Sequence, residues 1–332
     1  MAAENQTGKK KNWLFTIVPV AGDSPREWVR KIIFWVALIV FVVAAYYLLN
    51  ELVFMPGRTQ QSIDTTRELF TEEPPANPEE PDDTVYPEGI QESFRRLYRA
   101  NPDVRGWLTF ATEGEDLFNG AIDNPVVQCA DNDYYLNHNF FGEEDKAGSL
   151  FFDYRNDLSN GAVNRNLIIY GHNLNTGLMF TNLNRLATGK VANAKRLTTM
   201  TLETLYDKAV YKVFAVMTVN VKEAEGPVFN YLRTQFADEE DFLRFVSEIR
   251  RRSLYDFGDV EVEEGDQLLI LSTCSNRRDT YINDGRTVVV ARKVRPGESE
   301  TVDTGKTVKN ADVLMPKIWY VSLKKPLPEE YQ

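Results

Sequence analysis

Nucleophilic or general acid–base chemistry in this 332-residue chain has few candidate residues, because it holds two cysteines and two histidines. Cys274 ends the apolar run LLILSTC. His172 follows another such run, within IIYGHNLNTG. Arg286 opens RTVVVARKV, 12 positions after Cys274. A thiolate can attack a carbonyl, an imidazole can carry the proton, and a guanidinium can stabilise the oxyanion that develops. Each residue also has a plainer reading: a small core hydrophobe, a structural histidine, a solvated strand-end charge. Cys129 and His138 take the plain readings, as a free thiol and a loop residue. A Cys129–Cys274 disulfide would silence the nucleophile. Arg277, Arg278 and Arg292 compete with Arg286 for the cationic role. The acids are dispersed and the histidines are not at ligand spacing, so neither a metal nor a cofactor is expected.

These residues need strand ends to hold them, and the sequence supplies strands. Short β-rich runs recur at 106–110, 125–129, 149–154, 166–171, 196–202, 209–221, 267–274 and 286–294. Eight such runs with turn residues between them indicate a mostly β domain, a barrel or a sandwich. One helix interrupts them. Phe242, Phe245, Val246 and Ile249 recur at helical spacing, Asp238 can cap the start, and Arg250, Arg251 and Arg252 suit the C-terminal dipole. That helix sits in an insertion at 222–266. After residue 295 the run VLMPKIWY (313–320) is suited to pack back on the body.

Eighteen apolar residues run unbroken from Ile32 to Leu49. As a helix they span about 27 Å, close to the hydrocarbon core of a bilayer. Six Lys/Arg against three Asp/Glu in residues 1–31 place the N-terminus in the cytoplasm and the bulk of the chain outside the cell. A cleaved signal peptide is the competing reading, disfavoured because no small-residue cleavage site follows. Residues 55–93 carry two Lys/Arg against ten Asp/Glu, with EEPPANPEEPDD at 72–83, and read as an extended acidic spacer. Of the net charge of −11, residues 94–332 carry −5, and this mildly acidic body argues against a nucleic-acid partner. The expected organisation is a basic head (1–31), an anchor helix (32–54), a spacer (55–90), a catalytic barrel (91–295) and a C-terminal extension (296–332).

The motifs LSTC (271–274) and YGHN (170–173), with an arginine on the strand after the cysteine, resemble the sortases, cysteine transpeptidases of Gram-positive surfaces. FFDYRN (151–156), YYLNHNF (134–140) and the helix-bearing insertion are similar to class B in particular. Ile270 stands where the family usually has threonine. The resemblance covers about 94–295 and implies a closed eight-stranded β-barrel with the catalytic residues at one rim. It implies Cys274 as the nucleophile on a threonine carbonyl of a C-terminal sorting signal, His172 as general acid and then base, and Arg286 as the oxyanion partner. It also points to Asn132 as orienting the imidazole or the substrate, while Thr273 and Leu271, beside the nucleophile, would shape the groove. The implied partners are a sorting-signal peptide, of an Asn-Pro-x-Thr type, and an amine of the peptidoglycan cross-bridge. A pilin lysine as acceptor, which would make a pilin polymerase, stays open. So does a membrane-tethered β module that binds a ligand without chemistry.

Overall fold

The computed structural model describes residues 17–71, 83–111, 122–162, 164–174, 176–275 and 280–332. The chain divides into two units, residues 1–57 and 58–332.

In the first unit, helix α1 (Pro25–Leu49) starts at a capping box. Ser24 Oγ accepts from the Glu27 N–H, the Glu27 carboxylate accepts from the Ser24 N–H, and Pro25 presets the first helical φ. Its apolar side chains, Phe41 and Leu48 among them, are exposed, and the helical stretch beginning at Pro25 is long and apolar enough to cross a membrane. A π-helical turn (Asn50–Phe54) leads into α2 (Met55–Thr71).

The second unit includes most of α2, and here the structure corrects the expected spacer. Thr59, Ile63 and Thr66 are buried at spacings of four and three, and Phe70 continues the stripe. Phe70 stacks on Trp107 with ring centroids 4.4 Å apart, and Arg67 donates to Asp123 Oδ2 at 2.7 Å. The apolar stripe lies just before the Pro-rich acidic run, and composition averaged over both hides it. The run itself, 72–82, lies outside the described residues. Phe70 and Phe94, on either side of it, are in ring contact at 5.2 Å.

Helix α3 (Glu92–Ala100) buries Phe94 and Leu97. The strands that follow are β1 (Val104–Ala111), β2 (Asp123–Val127), β3 (Leu150–Phe152), β4 (Asn166–Tyr170), β5 (Thr199–Thr204) and β6 (Lys208–Val219). A single-turn helix α4 (Val191–Ala194) precedes β5. Next come α5 (Glu239–Arg252), β7 (Tyr255–Phe257), β8 (Leu268–Cys274), β9 (Arg286–Lys293), β10 (Thr307–Lys309) and α6 (Lys317–Ser322). Eight of these strands close a barrel in the order β1-β2-β3-β4-β8-β9-β6-β5. They are the eight expected from the sequence. The pairs β2–β3 and β4–β8 are parallel and the remaining pairs antiparallel. The two-stranded sheet β7–β10 was not expected; its strands have three residues each, too short to show a period.

Strand alternation sorts the apolar residues into two layers. Leu269, Leu271, Val289 and Ala291 fill the barrel interior. Ile168, Ile270, Val288 and Val290 face outward and are covered by Phe242, Phe245, Val246 and Ile249 of α5. Asp238 caps α5 by accepting from the Asp241 N–H, as its sequence position suggested. Leu314 and Met315 of the C-terminal segment are buried, with Trp319 and Tyr320 packed against the interior cluster.

Because α2 buries apolar and polar side chains on the barrel, its loss should weaken the fold. Ile63→Ala is expected to cost about 2 kcal/mol, and a chain starting at Gln91 to melt several degrees below one starting at Arg58. Equal melting midpoints by circular dichroism would show that α2 adds no stability.

Candidate active site

Three adjacent strands, β4, β8 and β9, bring the chemistry together by register. Cys274 is paired with Arg286 across the antiparallel β8–β9 ladder, and Tyr170 with Ser272 across the parallel β4–β8 ladder. The Gly171 N–H donates to Ser272 O at 3.3 Å, which carries the β4–β8 pairing one residue beyond the strand. His172 is two residues past Tyr170 and Cys274 two past Ser272, so both reach the same level at the same barrel end. The period of two places Cys274 beyond Ile270 and Ser272, and Arg286 beyond Val288, on the layer covered by the 222–266 insertion.

Cys274 is a free, exposed thiol. Its carbonyl accepts from Asn184 Nδ2 at 3.0 Å, and Asn184 Oδ1 accepts from Thr287 Oγ1 at 2.7 Å, so one buried asparagine ties the ends of β8 and β9 together. Arg286 donates through Nη1 to Asp284 Oδ1 at 2.8 Å and to the carbonyls of Asp284 and Gly285. Burial disfavours its charge, but Asp284 and the neighbouring Cys274 outweigh burial and hold its pKa above the ordinary value. Asp284 has φ +55 and Tyr281 φ +60. The short return to β9 therefore carries two side-chain-bearing residues in the left-handed region, strain of a kind that clusters at functional sites.

His172 Nε2 lies 2.7 Å from Leu136 O. A carbonyl only accepts, so Nε2 carries a hydrogen, and in the neutral ring Nδ1 is the basic nitrogen. Gly171 has no room for a side chain: a Cβ would lie 2.5 Å from Leu150 Cδ2 and 2.8 Å from Phe180 Cδ2. The glycine lets the chain leave β4 against packed side chains and deliver the histidine.

The Sortase domain model matches residues 121–294. Sortase B of Listeria monocytogenes is 33% identical over 205 residues, 62% of this chain and 75% of that protein. Sortase B of Staphylococcus aureus is 30% identical over 207 residues, 62% of this chain and 76% of that protein. A crystal structure of sortase B from Bacillus anthracis in complex with AAEK1 superposes with a TM-score of 0.58 at 29% identity, covering 73% of this chain and all of that one. The chain belongs to the sortase family, as a class B sortase. Sortases are transpeptidases that act on sorting signals and amine acceptors.

Several sequence-based assignments in this sortase need correction. Leu271 is fully buried in the barrel interior, and Thr273 is buried on the same inward face with its Oγ1 lacking a hydrogen-bond partner among the described residues. Both point away from the layer that carries Cys274, so neither lines a groove. Asn132 is engaged elsewhere than the imidazole: its Oδ1 accepts from the Tyr154 N–H at 3.0 Å and its Nδ2 donates to Asp153 Oδ2 at 3.3 Å. Arg292 is buried and paired with Glu298, six residues along β9 from Arg286. Arg277 and Arg278 lie outside the described residues. Cys129 is a half-buried free thiol whose pKa burial pushes up, and His138 stacks on Tyr134 with centroids 4.0 Å apart.

Two residues at the site escaped the sequence reading. Asn184 sits between the buried Leu183 and Leu186, and a polar residue inside an apolar stripe was its available signal. Tyr231, from the insertion, is buried with its hydroxyl 2.8 Å from Ser272 Oγ, and burial raises its pKa. It lies in irregular chain, where no periodicity marks it.

Asp153 joins the Asn132 cluster to β4 by accepting from Tyr170 Oη at 2.7 Å and Arg155 Nε at 2.7 Å. Burial would raise its pKa, but the bonds from Arg155 and Tyr170 outweigh it and hold the carboxyl below its ordinary value. The ionised form therefore stabilises the fold above the unfolded pKa of about 3.9, and that stability is lost as the pH falls through the lower folded value. Asp153→Asn is expected to be less stable than the native chain at pH 7, with the gap closing below about pH 4. Urea unfolding at both pH values checks this; a gap independent of pH would exclude the carboxylate charge as its source.

Proposed function

We propose that this sortase is a membrane-anchored cysteine transpeptidase that joins surface proteins to a peptidoglycan amine. The observation carrying this reading is the pairing of Cys274 with Arg286, with His172 two residues past the end of the neighbouring strand β4. The Cys274 thiolate attacks the carbonyl carbon of threonine in an Asn-Pro-x-Thr type sorting signal. The C–N bond of the tetrahedral intermediate breaks, His172 gives its proton to the departing amine, and a thioester remains on Sγ. An acceptor amine then attacks that thioester, His172 takes the proton, and Sγ leaves. Arg286 stabilises the oxyanion in both steps. Asp284 engages Nη1, and the planar guanidinium has further N–H donors on Nη2 and Nε.

Cys274→Ala is expected to abolish both peptide cleavage and the thioacyl adduct seen by mass spectrometry. Arg286→Ala is expected to slow turnover by about 10²–10³, the usual scale for one oxyanion donor. Near-normal turnover in that variant would remove Arg286 from the chemistry. Adding a cross-bridge-like amine should convert the product from the free threonine acid to an amide conjugate. Conjugation only to pilin lysines would make the enzyme a pilin polymerase, and hydrolysis with every amine would make it a protease.

The anchor reading rests on the apolar run and on the basic residues before it. Protease added to intact protoplasts should digest the barrel and spare the N-terminal head. Protection of the barrel would reverse the orientation.

A further inference from the structure

Among the described residues, the ring nitrogen of His172 that faces the protein meets a carbonyl, not a carboxylate. The position of that carbonyl therefore decides which ring nitrogen keeps its hydrogen. Leu136 belongs to a short 3-10 turn (Tyr134–Leu136) continued by the loop to β3. Asp145 organises this loop. Its N–H donates to Asn137 O at 2.9 Å, its carbonyl accepts from the Gly148 N–H at 2.9 Å, and its Oδ1 accepts from the Ala147 N–H at 2.9 Å. The loop closes tightly on the turn. Gly148 has φ +60, and a Cβ there would lie 2.4 Å from Tyr135 O and 2.7 Å from Leu136 O. Ser149 adds two bonds, from its N–H to Tyr135 O and from its Oγ to His138 O.

One oxygen of the Asp145 carboxylate looks away from the loop, and it accepts from Thr59 Oγ1 of α2 at 2.7 Å. Both residues are buried, Thr59 at 2% and Asp145 at 8% exposure. Helix α2 is itself fixed on the barrel by Ile63, by Arg67 on Asp123 and by Phe70 on Trp107. We propose that Thr59 is a positioning residue for the chemistry of Cys274 and His172: through Asp145 it holds the Leu136 carbonyl that sets the tautomer and orientation of the His172 ring. The inference rests on reading His172 as the proton carrier, and its kinetic consequence follows from that reading. A buried carboxylate oxygen that loses its donor must be rehydrated or must move. Because the Asp145 N–H is bonded to the carbonyl of Asn137, the residue next to Leu136, movement of Asp145 is transmitted to the histidine's acceptor.

The test uses the full chain in detergent, labelled with 13C and 15N in histidine. With two histidines in the protein, two sets of ring signals are expected. In the native chain the neutral His172 ring should show the Nε2–H tautomer. Thr59→Val keeps the shape and removes the donor. It should shift the His172 nitrogens toward a mixture of tautomers while His138 stays unchanged. Turnover should fall about ten- to a hundredfold at similar KM, the scale of a misplacement near 1 Å. Thr59→Ser should restore both readouts. A Thr59→Val chain with a lower melting midpoint but native His172 signals and native turnover would overturn the proposal, because Thr59 would then be merely structural. If Thr59→Val does not fold, Thr59→Ala is read in the same way. A tautomer shift in a chain that cleaves no sorting peptide, native or variant, would uphold the positioning role and count against the transpeptidase reading instead.

Discussion

Everything at the site depends on the register of β8 between β4 and β9. A slip of one residue would turn Cys274 toward the barrel interior, where Thr273 and Leu271 now point, and would unpair it from Arg286. The hydrophobic effect alone does not prevent such a slip. Leu268 and Ile270 face the layer under α5 while Leu269 and Leu271 face the interior, so β8 is apolar on both sides and would stay apolar if its faces were exchanged. Polar pins at its ends set the parity. Ser272 meets the Tyr231 hydroxyl, the Cys274 carbonyl accepts from Asn184, and just before the strand Gln267 Nε2 donates to Asn164 O while its Oε1 accepts from Tyr211. A buried polar group left without its partner costs about 1–3 kcal/mol. Losing three or four of these pins together approaches the whole stability of a typical domain, about 5–15 kcal/mol.

The same two-sided burial decides what could be read from the sequence. LLILSTC is recognisable as a strand because it is short, apolar and ends in polar residues. Its faces are not recognisable, because a strand buried on both sides has no alternation to show which side is which. Proximity to Cys274 in sequence suggests that Leu271 and Thr273 line a groove, and only the barrel shows that odd and even positions along β8 serve different layers. Cys274, His172 and Arg286 need no face assignment: their types and strand-end positions mark them as candidates, and the register pairs Cys274 with Arg286. Asn184, with one hydrogen bond to β8 and one to β9, and Tyr231, with one to β8, act on partners 41 to 103 residues away, which leave no local trace in sequence.

Helix α2 shows a different limit. Its buried stripe, Thr59, Ile63, Thr66 and Phe70, has the period of a helix, but two of the four are threonines and the following residues are acidic and Pro-rich. Averaged composition describes the Pro-rich part and obscures the helix. Threonine is a poor helix former in isolation, and burial is what makes it useful here. Thr66 Oγ1 donates back to Ile63 O at 2.7 Å, and Thr59 Oγ1 donates outward to Asp145. Both hydroxyls are thus satisfied inside an interface that would otherwise exclude them.

This changes the physical role of the acidic run. A spacer that holds a domain away from a surface must lie between the two, but this run begins after α2 and ends before α3, both packed on the barrel unit. Phe70 touches Phe94 across it, so both of its flanks are held in the barrel unit.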